Sequence, residues 1–322
     1  LAQQFAAAFG APILRGAAGK IHLHAPFFAR TAQGNALGIG QGGVDGFTIT
    51  VDRVLAETPS EEVRKRIVKR LQKARQQSAA EYIFPKLAEH HGALPKIKDN
   101  PPLIFHLTEE QAPGQRTQYR EVIASYRESL AEHVRVLFDR FRFCDTAIKV
   151  VGVGSVGTVC SVALFMAADN DPIFLQVKEA RASVLEPYAG PSLHANHGQR
   201  VVAGQRLMQG ASDIFLGWTT TKNGRDVYIR QLRDVKISAI VEGWDVDLLT
   251  AYGRLCAWAL ARAHARSGDA ALIAGYMGSS AVFDDAICEF AVEYSDQNQR
   301  DYRAFVKAIR EGRLEAQVED SP

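Results

Sequence analysis

A glycine-rich stretch in the middle of the chain, residues 148–180, constrains the fold more than any other feature. It reads IKVVGVGSVGTVCSVALFMAADNDPIFLQVKEA, and its spaced glycines, Gly152, Gly154 and Gly157, follow a short β-branched run. Glycine adopts backbone angles that are closed to other residues, and it lets main-chain N–H groups approach an anion closely. A lysine, Lys178, follows within the same stretch. The pattern therefore predicts a phosphate-binding site.

Two protein architectures use the motif Gly-x-Gly-x-x-Gly in different ways. In the dinucleotide-binding fold, the third glycine opens a helix that holds the pyrophosphate, and an acidic residue ends the next strand. In the kinase-like fold, the glycines bend a β-hairpin over ATP, and a lysine on the third strand pairs with the phosphates. A glycine turn with a purely structural role is the third interpretation, since one motif alone is a weak signal.

The residues after Gly157 favour the kinase-like interpretation. Residues 158–165 are rich in β-branched side chains, residues 169–172 give a strong turn signal, and residues 173–177 form another apolar run. This order indicates strand, turn and strand, and it puts Lys178 where a kinase-like third strand carries its lysine. The downstream chain also lacks the alternation of strands and helices that a doubly wound sheet needs.

The dinucleotide interpretation makes a different structural prediction. It requires a helix over residues 156–168, followed by a strand that ends at Glu179 with its carboxylate facing a ribose. The protein would then be an NAD(P)-dependent oxidoreductase. A β-strand within residues 156–168 would exclude this alternative.

The composition is that of an ordinary globular protein and excludes several function classes. The chain has 322 residues, of which 47% are hydrophobic and 23% are charged, and this length suits about two domains. The net charge of +2 gives no support for a nucleic-acid partner. No apolar run reaches the roughly eighteen residues that a membrane helix needs. The four cysteines form no Cys-x-x-Cys pair, so we predict no metal site and expect a cytoplasmic protein without nucleic-acid or membrane partners.

Helix, strand and turn signals divide the chain into three regions. We expect residues 1–145 to be mainly helical, residues 146–235 to form a β-rich lobe around the glycine loop, and residues 236–322 to be helical. The predicted fold class is α+β and kinase-like, with the small nucleotide-binding lobe packed against mainly helical regions. Apolar periodicity and an Asn-Gly turn at 223–224 predict helices over about 119–141, 196–209, 246–266 and 283–309, and a hairpin of strands 214–221 and 226–232.

A further helix is predicted to begin after Thr58. Thr58 can cap the helix, Pro59 suits the first helical position, and Glu61 has the capping-box spacing. The helix carries many lysine and arginine residues, among them Lys65. Because no aromatic residues are interleaved with them, we expect a solvated face and no nucleic-acid contact.

Other residues complete the predicted nucleotide site. Ser155 lies among the glycines whose N–H groups would contact the phosphates, and Lys178 would neutralise phosphate charge. Val159 would pack on the base. Gln231 and Leu232, at the end of the last predicted strand, would frame adenine.

The helix that follows the lysine strand departs from the kinase-like pattern. That helix should offer a glutamate to the lysine, but residues 196–209 contain no acidic residue and only glutamines such as Gln205. Glu186, before the helix, is the nearest acidic substitute.

Acidic residues in the C-terminal region are secondary candidates for metal contact. Asp269, Asp284 and Asp285 lie near predicted helix ends. We expect surface or capping roles for all three.

Phrases spread over the chain resemble, in content and order, a bacterial family catalogued as domain of unknown function 2252. The similarity extends over roughly residues 45–315. The phrases are QVKEA at 176–180, GQRVV at 198–202, GQRLMQ at 204–209, YIRQLRDVK at 228–236, AHARSGD at 263–269 and DQNQRDY at 296–302.

The resemblance implies a phosphotransferase-like protein, because members of that family resemble the aminoglycoside-phosphotransferase branch of kinase-like proteins. It implies ATP with Mg²⁺ as the bound cofactor and an unknown small molecule as the phosphate acceptor. It also implies a permuted order, in which a Gly-Asp-x-His-x-x-Asn phrase and an Asp-rich metal-binding phrase precede this region. Neither phrase is found in this sequence, so we predict nucleotide binding and leave turnover open. A non-catalytic nucleotide-binding module is the remaining alternative.

Overall fold

The structure, a computed structural model, describes residues 51–58, 60–76, 83–91, 94–111, 115–151, 157–167, 171–209, 212–232 and 244–316. Residues 43–239 form one compact unit, and residues 244–316 belong to a second unit. The helices of the first unit are α1 (Val51–Glu57), α2 (Glu61–Gln76), α3 (Phe84–Leu87), α4 (Gln115–Glu128), α5 (Glu132–Phe138), α6 (Glu186–Ala189) and α7 (His197–Met208). Its strands are β1 (Ala88–His91), β2 (Leu94–Ile97), β3 (Ile104–Phe105), β4 (Arg142–Lys149), β5 (Cys160–Met166), β6 (Pro172–Glu179), β7 (Gly217–Thr220) and β8 (Asp226–Gln231).

An antiparallel sheet organises the first unit. Its strands lie side by side in the order β3-β4-β5-β6-β8-β7, and every neighbouring pair is antiparallel. A separate hairpin is formed by β1 and β2. The predicted α+β class is therefore confirmed.

The two strands predicted after Gly157 are confirmed, whereas residues 169 and 170 of the predicted turn lie outside the described residues. Strands β5 and β6 pair in an unbroken register, from Cys160 opposite Lys178 to Met166 opposite Pro172. The dinucleotide alternative is wrong, because β5 occupies residues that it requires to be helical and because the sheet is antiparallel. The predicted oxidoreductase function therefore loses the Rossmann-type fold from which it was inferred.

The two faces of the sheet differ in chemistry. Side chains alternate between the faces along each strand. We call the face that carries Cys160, Gln176 and Lys178 the lysine face, and the other the opposite face.

Helices α4 and α5 cover the opposite face with an aromatic-rich core. Tyr126 is fully buried there, and its ring packs edge to face on Phe138, with ring centroids 5.4 Å apart. The Tyr126 hydroxyl donates a hydrogen bond to the Phe215 carbonyl. The buried residues of this core are Tyr126, Leu130, Val134, Phe138, Ala163, Phe165, Ile173, Leu175, Phe215 and Ile229.

The periodicity predicts one helix over residues 119–141, but the structure has two. The chain turns at Ser129, between α4 and α5. The Ser129 hydroxyl donates to the Tyr126 carbonyl at 2.7 Å and accepts a hydrogen bond from the Trp218 N–H at 2.9 Å. Arg135 donates to the carbonyl of Leu130, which lies in the turn between α4 and α5. The break therefore depends on a contact with β7 that is distant in sequence.

Part of the lysine face is covered by α3 and the β1–β2 hairpin. Phe84, Ala88 and Ile97 from these elements are buried against apolar side chains of β4, β5 and β6. The buried residues of this second core are Ile83, Phe84, Ala88, Ile97, Ile104, Cys144, Ala147, Val162, Leu164, Met166 and Phe174.

Helix α7 confirms the helix predicted over 196–209, and polar contacts attach its N-terminus to the sheet. Asn196 caps the helix by accepting a hydrogen bond from the Gln199 N–H at 2.9 Å. The Asn196 amide group donates to Asp226 at 2.7 Å. Gly198 lies so close to β8 that a Cβ at this position would be 2.3 Å from the Val227 carbonyl oxygen. Only glycine allows this approach of the helix.

The Asn-Gly hairpin is also confirmed. Strands β7 and β8 are antiparallel, and Gly224 between them has a φ of +74°. That angle lies in the left-handed region that glycine tolerates best.

The second unit is helical in the residues that the structure describes. It contains α8 (Val246–Ser267), α9 (Ala270–Met277) and α10 (Val282–Arg310), so the helices predicted over 246–266 and 283–309 are confirmed. Asp245 caps α8 by accepting a hydrogen bond from the Leu248 N–H at 2.8 Å.

The start of α2 differs from its prediction. The helix begins at Glu61, and Ser60 accepts a long hydrogen bond from the Val63 N–H at 3.4 Å. The Thr58 hydroxyl instead donates to the Val54 carbonyl in α1 at 2.7 Å. Ser60, two residues closer to the helix, therefore replaces Thr58 as the capping residue, while Pro59 lies outside the described residues.

The sheet extends beyond the predicted β-rich lobe. The expected boundary at residues 145–146 lies inside β4, and β1 to β3 precede it. The N-terminal region thus contributes strands as well as helices to the first unit.

The contact of Gly198 with β8 gives a test of how α7 is attached. We expect Gly198→Ala to lower the free energy of unfolding by about 1–3 kcal/mol, because the new methyl group would clash with backbone and force a shift. Gly204→Ala in the same helix is the matched control, since a Cβ there meets nothing within 4 Å. We expect the control to leave stability unchanged or to raise it by about 0.5–1 kcal/mol. Urea unfolding measures both, and equal effects of the two substitutions would contradict the close approach.

Candidate functional site

Cationic side chains gather around a buried thiol on the lysine face. Register places Lys178 of β6 directly opposite Cys160 of β5 and, on its other side, opposite Tyr228 of β8. Gln176 lies opposite Arg230. All of these side chains point to the same face, because the positions within each strand are two residues apart.

Lys149 brings a second lysine to the same place. Ile148 of β4 pairs with Ser161 of β5, so the next position, Lys149, lies beside Cys160. Lys149 also pairs with Ile104, whose side chain belongs to the core on the lysine face. We call Lys149, Lys178 and Arg230, with Cys160 and Gln176 between them, the cationic strip.

The polar floor of the strip is buried, whereas its cations are half-buried. Cys160 is 4% exposed and Gln176 is 5% exposed. The side-chain amide of Gln176 donates to the Cys160 sulfur at 3.5 Å. The Arg230 side chain donates to the side-chain oxygen Oε1 of Gln176 at 3.4 Å. Burial raises the pKa of the Cys160 thiol, and the charges of Lys178, Lys149 and Arg230 oppose this increase only in part. The thiol is therefore a neutral floor for a positively charged surface.

Among the described residues, the cations of the strip have no carboxylate partner: no carboxylate there forms an ion pair with Lys149, Lys178 or Arg230. Half-buried positive charge is costly unless an anion pairs with it. The strip is thus suited to bind an anionic ligand.

Packed elements lie on both sides of the strip. On one side is the apolar core formed by α3 and the β1–β2 hairpin. On the other is α7, whose capping residue contacts Asp226, and Asp226 shares the lysine face because it lies two residues before Tyr228.

The end of the glycine loop leads directly into the strip. Gly157 has a φ of +78°, which requires the conformational freedom of glycine. Arg181 donates a hydrogen bond to the Gly157 carbonyl and another, at 2.7 Å, to Glu179. The other predicted phosphate-contacting residues, Gly152, Gly154 and Ser155, lie outside the described residues.

Glu179 binds residues at the base of the glycine loop. Its carboxylate does not have the ribose-binding role that the dinucleotide alternative gave it. Its carboxylate accepts a hydrogen bond from the Val159 N–H at 2.9 Å and pairs with Arg181. The hydrogen bond from Arg181 lowers the pKa of Glu179, and it outweighs the effect of burial. The carboxylate therefore joins the strand that leaves the glycine loop to the strand that carries Lys178.

Val159 lies on the side of the sheet away from Lys178. Its carbonyl accepts a hydrogen bond from the Glu179 N–H at 2.9 Å, so the two residues face each other across β5 and β6. Since faces alternate, Cys160 rather than Val159 shares the face of Lys178. Val159 is also 41% exposed. This position separates Val159 from the cationic strip.

The predicted adenine-framing residues use their N–H groups within the protein. The Gln231 N–H donates to Asp213 at 2.5 Å, and the Leu232 N–H donates to the Phe174 carbonyl at 2.7 Å. The Leu232 side chain packs against the core of the lysine face. Neither N–H is therefore available to a base without local rearrangement.

The remaining candidates occupy structural positions. Glu186 accepts a hydrogen bond from the Ser183 N–H at 3.2 Å, and the Gln205 carbonyl accepts one from the Gln209 N–H. No hydrogen bond among the described residues joins Glu186 or Gln205 to Lys178.

The aspartates of the second unit lie at helix starts. Asp269 caps α9 by accepting hydrogen bonds from the Ala271 and Leu272 N–H groups, both at 2.9 Å. Asp284 and Asp285 lie in the first turn of α10, where Asp284 is partly exposed and Asp285 is exposed. Acidic side chains at this end of a helix interact favourably with the helix dipole. The expected capping and surface roles agree with these positions.

The described residues contain neither a candidate metal site nor a helix that could span a membrane. No group of three or more histidine, cysteine, aspartate or glutamate residues there could hold a metal ion. None of the described helices is long and apolar enough to cross a membrane.

A histidine held between two aspartates is a feature that the sequence patterns do not reveal. His106, after β3, contacts Asp99 at 2.7 Å through Nδ1 and Asp145 at 3.0 Å through Nε2. Asp145 also accepts a hydrogen bond from the Ile97 N–H at 2.8 Å, which ties the β1–β2 hairpin to β4. Asp99 is seven residues from His106 in sequence, but Asp145 is 39 residues away. The pairing of β3 with β4 brings Asp145 to the histidine.

The charges of this cluster stabilise one another. The hydrogen bond to Asp145 raises the pKa of His106, against the effect of burial, and the hydrogen bond to Asp99 raises it further. Burial acts to raise the pKa of Asp99, but the hydrogen bonds from His106 and the charge of Lys96 outweigh it, and the pKa is lowered. The cluster thus favours a protonated histidine and an ionised Asp99.

The fold and the strip define an α+β protein with a cationic face on an antiparallel sheet. The family model described as "Uncharacterized protein conserved in bacteria (DUF2252)" matches residues 42–308, and the chain belongs to this family. No curated protein and no solved structure matches the chain.

The His106 cluster predicts a specific pH dependence of stability. A raised histidine pKa stabilises the fold below the ordinary value of 6.5 and loses this effect as pH rises through the folded-state pKa. A lowered aspartate pKa stabilises the fold above the ordinary value of 3.8 and loses this effect as pH falls. We expect the stability advantage of the wild type over His106→Gln to be largest between these two values and to shrink on either side.

Urea unfolding between about pH 3 and pH 9 measures this advantage. His133→Gln is the matched control, because His133 is exposed on α5. An advantage of the wild type over His106→Gln that does not change with pH would contradict the charged cluster.

Proposed function

We propose that this chain is a kinase-like nucleotide-binding protein that binds ATP with Mg²⁺ on the lysine face of the first unit. The observation that carries the proposal is the position of Lys178. It lies on the strand after the glycine hairpin, half-buried, and without a carboxylate partner among the described residues. A lysine in this place is free to pair with the phosphates of a nucleotide.

The order of the elements supports the proposal. A kinase-like ATP site uses a glycine-rich loop between two strands, a lysine on the third strand, and a helix after that strand. Here the glycine loop lies between β4 and β5, Lys178 is on β6, and α7 follows. Helix α7 packs on the strands beside β6, and its first residues contact the face that Lys178 shares.

We propose the following roles for the residues of the site. The N–H groups of Gly152, Gly154, Ser155 and Gly157 would contact the phosphates, and Lys178 would neutralise their charge. The apolar side chain of Leu232, at the end of the strand beside β6, would contact the base.

A phosphotransferase acting on a small molecule would need more than this site. Phosphoryl transfer requires carboxylates or amides to hold Mg²⁺ and a residue that orients the acceptor. The residues of the first unit do not identify the small molecule that would accept the phosphoryl group. Phosphotransfer is therefore the reaction class that we propose if the protein turns over.

A non-catalytic nucleotide-binding module is the second candidate function. It is favoured by α7, whose twelve residues include no glutamate or aspartate. The ion pair that orients the lysine in an active kinase cannot form with this helix. Formation of ADP in the presence of Mg²⁺ distinguishes the two candidates, because only a phosphotransferase or hydrolase would produce it.

The first test of the proposal is the affinity for ATP of the wild type and of Lys178→Ala. Loss of one charge-assisted contact of about 1.5–3 kcal/mol should weaken binding by about 10- to 100-fold. Lys65→Ala is the matched control, because Lys65 is exposed on α2 and its substitution removes the same positive charge. Isothermal titration calorimetry with and without Mg²⁺ measures the affinities, and circular dichroism checks that each variant is folded. Equal ATP affinity of wild type and Lys178→Ala would overturn the proposed site.

A further inference from the structure

We infer that Lys149 and Lys178 act as a pair that binds the polyphosphate chain, and that the site recognises this chain rather than the base. This inference rests on the proposed function and adds to it the class of ligand: any nucleoside triphosphate, or an inorganic polyphosphate. It gives a binding role to Lys149, which the glycine motif and the lysine strand do not identify.

The geometry of the pair follows from the sheet. Lys149 and Lys178 flank Cys160 on the two neighbouring strands, on the same face. Adjacent strands are about 4.8 Å apart, so the backbones of the two lysines are separated by about 10 Å. Two flexible side chains at this separation can reach the same di- or triphosphate from either side of the strand that leaves the glycine loop.

The electrostatics also favour a ligand with several negative charges. The charges of Lys149, Lys178 and Arg230 all act on the Cys160 thiol, so the three cations lie within electrostatic range of one atom. Like charges held this close repel one another in a partly buried site. A polyphosphate would relieve this repulsion, whereas a neutral ligand such as a nucleoside would not.

Among the described residues, the strand end beside the strip has no main-chain N–H group that is open to a base. The N–H groups of Gln231 and Leu232 are bonded to Asp213 and to the Phe174 carbonyl. Hydrogen bonds from such groups are what a site uses to distinguish one base from another. The Leu232 side chain contributes apolar contact, which purines share. Adenine and guanine nucleotides should therefore bind alike.

The experiment titrates the full chain with ATP, GTP, inorganic tripolyphosphate and adenosine by calorimetry. We expect the first three to bind within about fivefold of one another and adenosine not to bind. Affinity should fall as the salt concentration rises, because the contacts are between charges.

Variants of Lys149 test the pair directly. Lys149→Met keeps an unbranched side chain but removes the charge, and we expect it to weaken ATP and tripolyphosphate binding by the same factor, about tenfold. Lys149→Arg restores the charge and should recover most of the affinity. Lys65→Ala again controls for the loss of one positive charge, and thermal unfolding without ligand shows whether each variant is folded.

The outcomes separate this inference from the proposed function. ATP binding without binding of GTP or tripolyphosphate would overturn base indifference and leave the nucleotide function standing. Full affinity of Lys149→Met would overturn the lysine pair. Tripolyphosphate binding that depends on both lysines, without ATP binding, would overturn the nucleotide function and support the pair. Absence of binding by every ligand to the wild type would overturn both.

Discussion

The pairing register of β5 with its two neighbours is the constraint on which the candidate site depends. It places Cys160 between Lys149 and Lys178 on one face and directs Ala163 and Phe165 into the aromatic core on the other. A shift of β5 by one residue would turn Ala163 and Phe165 to the lysine face and Cys160 toward the aromatic core. The apolar packing of α4 and α5 against the opposite face therefore also determines that Cys160 lies between the two lysines.

The charged residues around the sheet fall into two groups. Several acidic residues have structural partners: Glu179 pairs with Arg181, Asp226 binds the start of α7, and Asp145 holds His106. In the described part of the chain, none of these carboxylates neutralises the cationic strip. In its described residues the first unit thus uses its acids to connect structural elements and leaves the cations of the strip without a carboxylate partner, which suits the binding of an anion.

Features encoded by neighbouring residues were predictable from the sequence. The Asn-Gly turn, the β5–β6 hairpin and the helices after Asn196 and Asp245 all follow from short-range turn, capping and periodicity signals. Other features depend on distant partners. Helix α4 ends early because Ser129 binds Trp218 in β7, and the Thr58 hydroxyl is engaged by α1, so Ser60 takes its capping position. Periodicity and capping patterns contain no information about such contacts.

The sequence by itself determined the α+β class, the Asn-Gly turn and the strand that carries Lys178. It could do so because propensity, turn chemistry and glycine conformation act over a few residues. Only the tertiary structure decided which side chains share the face of that lysine. It put Cys160 rather than Val159 beside Lys178, brought Lys149 from β4 to the same place, and used the Gln231 and Leu232 N–H groups within the fold. The reason is that strand register is set by packing between residues far apart in the chain, and each strand's alternation then follows from it.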